Sequence, residues 1–132
     1  MRTAKQNETQ AREAYAAFAA GDLEKVKTVF HPDIVWHVTG SSSISRDYKG
    51  IDDVLGFFAT IFTETGGSFS NSIVDVIASE DAVVVIGNLS ATRNGKSMNV
   101  TQVAVYRSDG EGKITDATFY GDDTTQFDAF WS

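Results

Sequence analysis

Tyr15 to Gly40 reads YAAFAAGDLEKVKTVFHPDIVWHVTG, and this stretch decides the fold. Ala11, Ala14, Tyr15 and Phe18 recur at spacings of three and four, so one apolar stripe runs along a helix from about Asn7 to Ala20. The Ala-rich composition favours the same helix, and residues 1–6 are expected to fray. Gly21 can end the helix in a left-handed conformation, and Asp22 offers an N-cap to the next one. Leu23, Val26, Val29 and Phe30 then mark the inner side of a second helix. Pro32 forbids its continuation and pushes His31 out of helical geometry. Ile34 to Thr39 reads as a strand.

Working outward, Ser45–Lys49 predicts a short edge strand, and Ile51–Thr63 a third helix with Val54, Leu55, Phe58, Ile61 and Phe62 on its apolar face. The remainder is strand territory: 68–78, 82–93, 96–107 and 113–121, separated by turn residues. Asn94-Gly95, between two alternating runs, predicts a type I′ hairpin. A short helical turn is expected over Thr124–Trp131. Helices followed by an antiparallel meander make an α+β domain, read as one unit over residues 1–132. Long strands twist and curl, so helices laid across the concave side leave a cone whose open end is a natural ligand pocket.

Composition narrows the partners. The 132 residues carry a formal net charge of −7, which argues against nucleic acid or an anionic membrane surface. There is no cysteine, which excludes disulfides, thiolate chemistry and Cys-ligated metal. The polar MRTAKQNETQ opening has no apolar signal core, and no apolar run approaches the roughly 20 residues of a membrane span. A cytoplasmic protein is the expectation. Nine Phe, four Tyr and two Trp must fill a core, line a ligand site, or both.

Tyr15-Ala-Ala-Phe18, Gly21-Asp22, Phe30-His-Pro-Asp33, Trp36-His37, Tyr48-Lys-Gly50, Phe57-Phe58, Gly112-Lys-Ile114 and Tyr120-Gly-Asp122 follow one another along nearly the whole chain. In this order they resemble the nuclear transport factor 2-like superfamily, and within it the SnoaL-like polyketide cyclase and ketosteroid isomerase group. The resemblance implies a cone-shaped, curved, mostly antiparallel sheet with three N-terminal helices on its concave face. It also implies an apolar pocket for a small hydrophobic polyketide-, steroid- or carbonyl-like molecule, and a homodimer formed through the outer sheet face. Alternate residues such as Val83, Val85, Val103 and Val105 could cover that face.

The steroid isomerases of this group pair a carboxylate base with an oxyanion hole of a Tyr and a protonated Asp. Aligned on Gly21-Asp22, the base position falls on Val38 and the oxyanion Tyr on Ala14. Two supporting Tyr positions fall on Phe30 and Phe58, and the protonated Asp near Gln102. Base and acid are both missing, so that mechanism is not expected here.

Other chemistry has three candidate carriers. Asp122 and Asp123 close the last strand, where acid–base groups of related cyclases stand; the competing reading is an ordinary N-cap before a short helix. His37 could act as a base near neutral pH, but it alternates with Trp36, so one of the two faces away from the core. His31 reads as a helix C-terminal histidine, favoured there by the dipole. Asp52-Asp53 reads as dipole complementation at the third helix. Tyr15, Phe18, Trp36, Val38, Phe58, Phe62, Gln102 and Phe119 are the expected pocket residues, with Gln102 poised to orient a ligand carbonyl. No metal or cofactor is expected. Two functional classes stay open: a SnoaL-like acid–base enzyme, and a non-catalytic binding or protein-interaction module.

Overall fold

The computed structural model describes residues 2–132, and its elements follow the order read from the chain. Helix α1 (Ala4–Ala19) begins three residues earlier than expected, because Thr3 and Gln6 form a reciprocal capping box. It ends where Gly21 adopts φ +75° and the Asp22 amide returns to the Ala17 carbonyl. Helix α2 (Leu23–Lys27) starts on the Asp22 side chain, which accepts from the Lys25 amide.

Strand β1 (Phe30–Val38) corrects the reading of Phe30 and His31. Both are in the strand and not at a helix end, because Pro32 is tolerated where the pairing with the neighbouring strand shifts, between Phe30 and Val35. His31 Nδ1 accepts from the Asp33 amide instead of capping helix carbonyls. The edge strand β2 (Asp47–Lys49) leads into α3 (Ile51–Glu64), and then come β3 (Ser70–Ala78), β4 (Ala82–Arg93), β5 (Lys96–Ser108), β6 (Ile114–Gly121) and α4 (Thr124–Phe130). Asn94 and Gly95 both have positive φ at the β4–β5 turn, as a type I′ hairpin requires.

The six strands form one curved, unclosed sheet in the order β2-β1-β6-β5-β4-β3. Only β1 and β6 run parallel; every other pair is antiparallel. Helix α1 packs on β3 and β4, α3 on β1 and β2, and α4 on β5. The concave face thus carries two helices from before the meander and one from the C-terminus, where the reading placed three N-terminal helices.

Parity settles which residues face inward. On β1 these are Ile34, Trp36 and Val38; on β6, Ala117 and Phe119. On β4 the inward set is Val83, Val85, Leu89 and Ala91. This corrects the outer-face assignment of Val83 and Val85: Val83 pairs with Tyr106 and Val85 with Ala104, and all four are buried. The residues facing out beside Val103 and Val105 are their register partners Ile86 and Val84. Among the described residues no helix is long and apolar enough to cross a membrane.

Candidate functional site

The sheet's concave face and α1, α3 and α4 enclose a cavity of about 120 Å³. Its walls are mostly aromatic. The Trp36 ring stands 4.7 Å from Phe119, 5.2 Å from Phe58 and 5.6 Å from Phe30, centroid to centroid, and Phe18 lies 5.0 Å from Phe58. These contacts come from α1, β1, α3 and β6, so four separate elements are locked by one cluster.

Tyr15, Phe18, Trp36, Val38, Phe58, Gln102 and Phe119 all line the cavity. Phe62 is not among the lining residues; it packs against Phe18 at 5.0 Å. The lining also holds groups that sequence reasoning missed. Tyr106 of β5 sits opposite Tyr15 of α1, hydroxyl to hydroxyl at 2.6 Å. Asn71 Oδ1, Ser108 Oγ and Trp131 Nε1 are buried without a hydrogen-bond partner among the described residues, and all three side chains line this cavity. Tyr106 was within reach of a parity argument, because it shares the alternation of Gln102 on β5. Asn71 was not: a register shift between Ile73 and Asp75 breaks the alternation of β3.

The Tyr15–Tyr106 pair places two phenols inside. Burial pushes the Tyr15 phenol up, and the bond to Tyr106 offsets only part of that. Burial likewise raises Tyr106, with the neighbouring Tyr15 adding to the effect. Both phenols therefore stay protonated far above neutral pH. In such a pair one hydroxyl donates to the other, so one phenolic proton is left uncommitted. No carboxylate, imidazole, ammonium or guanidinium stands among the lining residues.

The three predicted catalytic groups lie elsewhere. Asp122 is exposed, and its carboxylate accepts from the Thr101 amide, closing the end of the β5–β6 ladder. Asp123 is the N-cap of α4: it accepts from the Gln126 amide and side chain, and the amide bond first of all holds its carboxyl below the usual range. The inward parity of Phe119 does not carry on to Asp123, because β6 ends at Gly121. His37 is on the convex face, between Asp47 (Nδ1 to Oδ1, 2.6 Å) and Asp116 (Nε2 to Oδ2, 3.4 Å). The bond to Asp47 is the chief cause of its raised pKa. Among the described residues no three His, Asp or Glu side chains converge as a metal ion would need.

This fold is shared with solved structures of nuclear transport factor 2-like proteins, among them one from Burkholderia pseudomallei at 25% identity, with a TM-score of 0.84 over 96% of this chain and 97% of that one. The SnoaL-like domain model matches residues 11–117, most of the chain. The chain belongs to the SnoaL-like family. This SnoaL-like domain is 32% identical to Bal32a from a soil-derived mobile gene cassette, over 98% of both chains, with a TM-score of 0.94. It is 27% identical over 122 residues to the uncharacterized protein Rv0034 of Mycobacterium tuberculosis, covering 92% of each. TerC, co-crystallized with polyporic acid, shares the fold at 23% identity, with a TM-score of 0.81 over 94% of this chain and 96% of TerC.

Proposed function

We propose that this SnoaL-like domain takes a small, neutral, ring-sized molecule bearing a carbonyl or hydroxyl oxygen into the cone, and that the Tyr15–Tyr106 pair binds that oxygen. The observation that carries this reading is the uncommitted phenolic proton in a chamber whose walls are mostly aromatic. A buried donor without a partner costs about 1–3 kcal/mol, which a ligand oxygen would return on binding. The aromatic walls supply flat, apolar contact for the rest of the molecule.

Size selects within the classes that the resemblance implies. A dry apolar cavity of about 150 Å³ takes benzene. At about 120 Å³ this chamber suits one ring or a slender chain and is too small for a steroid skeleton.

The phenols act as donors and not as bases, since their raised pKa values keep them neutral. They polarise a carbonyl; abstraction of a proton would need a base, and the lining supplies none. Binding, with polarisation of the bound carbonyl, is therefore the function proposed. An acid–base enzyme working through Asp122, Asp123 or His37 would need those groups to leave the partners they hold and reach the interior.

Isothermal calorimetry with cyclohexanone and its hydrocarbon isostere methylenecyclohexane tests the proposal. Cyclohexanone should bind about tenfold more tightly, which corresponds to one net hydrogen bond of about 1.4 kcal/mol. The difference should vanish in the Tyr15→Phe/Tyr106→Phe double variant. Equal affinity for both probes in the unmodified protein, or binding of neither, would overturn the reading.

A further inference from the structure

Gln102 occupies an unusual place in the sheet. Its two cross-strand partners are Gly87 on β4 and Gly121 on β6. Adjacent antiparallel strands set such partners about 5 Å apart, so an ordinary side chain on either flank would pack against the Gln102 stem. Here both flanks are bare. A Cβ at Gly121 would meet only the Thr101 carbonyl oxygen, at 4.0 Å, so that side is open space. The Gly87 side is filled differently. A Cβ there would run into Asn71 Oδ1, so the Asn71 amide lies over the Gly87 backbone. Both glycines have φ outside the left-handed region, so conformation does not demand glycine at either position. What they provide is room.

Two carboxamides thus flank the Gly87 position, Asn71 reaching over it and Gln102 as its partner on β5, and both line the cavity. Asn71 Oδ1 is buried and has no partner among the described residues. Neither cross-strand neighbour of Gln102 has a side chain with which its amide could bond. Each carboxamide offers a donor and an acceptor in one plane. An ion is a poor match for such a pair, because a neutral amide dipole does not offset the desolvation of a charge. A neutral group that also presents a donor beside an acceptor is a good match.

We propose that Asn71 and Gln102, set in the gaps left by Gly87 and Gly121, form a recognition site for a planar donor–acceptor edge on the ligand. A lactam, a primary amide or the enol form of a dicarbonyl carries such an edge. This inference rests on the proposal that the cavity binds a small oxygenated molecule, and it adds which oxygenated molecules are preferred.

The probes are 2-pyridone, a planar six-membered lactam, and 1-methyl-2-pyridone, which keeps the carbonyl but loses the N–H donor. By calorimetry 2-pyridone should bind at least tenfold more tightly than its methyl derivative. The preference should fall to less than twofold in Gln102→Leu. It should fall equally in Gly87→Ala, where the new methyl group displaces the Asn71 amide without removing a polar atom. Gln102→Leu retains an apolar side chain of similar size, so the test stands even if Gly87→Ala fails to fold. Equal binding of the two pyridones, or a preference that survives in Gln102→Leu, would overturn the amide-pair site while leaving the cavity proposal intact. Failure of cyclohexanone and both pyridones to bind the unmodified protein would overturn both.

Discussion

The two faces of one sheet divide the chemistry of this molecule. The convex face carries the ionisable groups: His37 between Asp47 and Asp116, a pairing open to water with the imidazole 30% and the carboxylates 53% and 43% exposed. The concave face carries none among its cavity-lining residues; its polar groups are two phenols, a hydroxyl, two indole N–H groups and carboxamides. Alternation on β1 makes the division: Trp36 turns in and His37, its neighbour, turns out. In a low-dielectric chamber a neutral donor keeps its full hydrogen-bonding strength, whereas a lone charge would shift its pKa and neutralise. A chamber built this way favours a neutral occupant over a charged one.

The contrast is broken most forcefully from the inside. Trp36→Ala removes the ring that joins Phe30, Phe58 and Phe119, and should cost about 3–5 kcal/mol in urea denaturation. A loss below 1 kcal/mol would mean that the aromatic walls are not the core.

The tyrosine pair comes next. Tyr106→Phe strips the Tyr15 hydroxyl of its only partner in the pair and should cost about 1–3 kcal/mol. The double Phe variant should recover part of that loss, since no polar group is then left buried. High pH gives an independent check. The folded pKa values of both phenols lie above the unfolded value, so above about pH 10 the unfolded chain has released protons that the folded chain still holds. Stability is therefore unaffected below that pH and falls above it, by up to about 1.4 kcal/mol per pH unit for each tyrosine. Denaturant melts at stepped alkaline pH should show the fall in the native protein and a shallower one in the double Phe variant.

Smaller effects are expected at the surface. Asp123→Ala removes the α4 N-cap and should cost about 1 kcal/mol, with cyclohexanone affinity held within twofold if the carboxylate does no work in the chamber. His37→Gln should cost less than about 1 kcal/mol, as exposed ion pairs do. The sign follows from the raised pKa: the charged imidazole stabilises the fold below its unfolded value of about 6.5, and that contribution is lost as pH rises through the higher folded value. The His37→Gln penalty should therefore be larger near pH 6 than near pH 8, measured as paired urea melts.

The frame of the fold was legible because local signals and global topology agree there. Gly21-Asp22 ended one helix and opened another, Asn94-Gly95 turned the long hairpin, and alternation on β1 put Trp36 and His37 on opposite faces. Reading failed where a local irregularity reset the pattern. Pro32 lay within a strand because the pairing shifts there, and the bulge in β3 hid Asn71. On β4, Asn88, Ser90 and Thr92 alternate with the buried Leu89 and Ala91, and that alternation carried back through the valine run turns Val83 and Val85 inward, against the outer face assigned to them. The Thr3–Gln6 capping box was present in the sequence as Thr-x-x-Gln and marks where α1 starts. The Tyr15–Tyr106 contact joins residues 91 apart, and no periodicity could have announced it.

The central claim is that the phenol pair binds a ligand oxygen inside a neutral chamber, and the carbonyl stretch of bound cyclohexanone reports on it directly. Infrared difference spectra should place that band below its position in a hydrocarbon solvent. The band should return to the hydrocarbon position when cyclohexanone is bound to Tyr15→Phe/Tyr106→Phe. A band at the hydrocarbon position in the native protein, or a lowered band that persists in the double variant, would contradict the account.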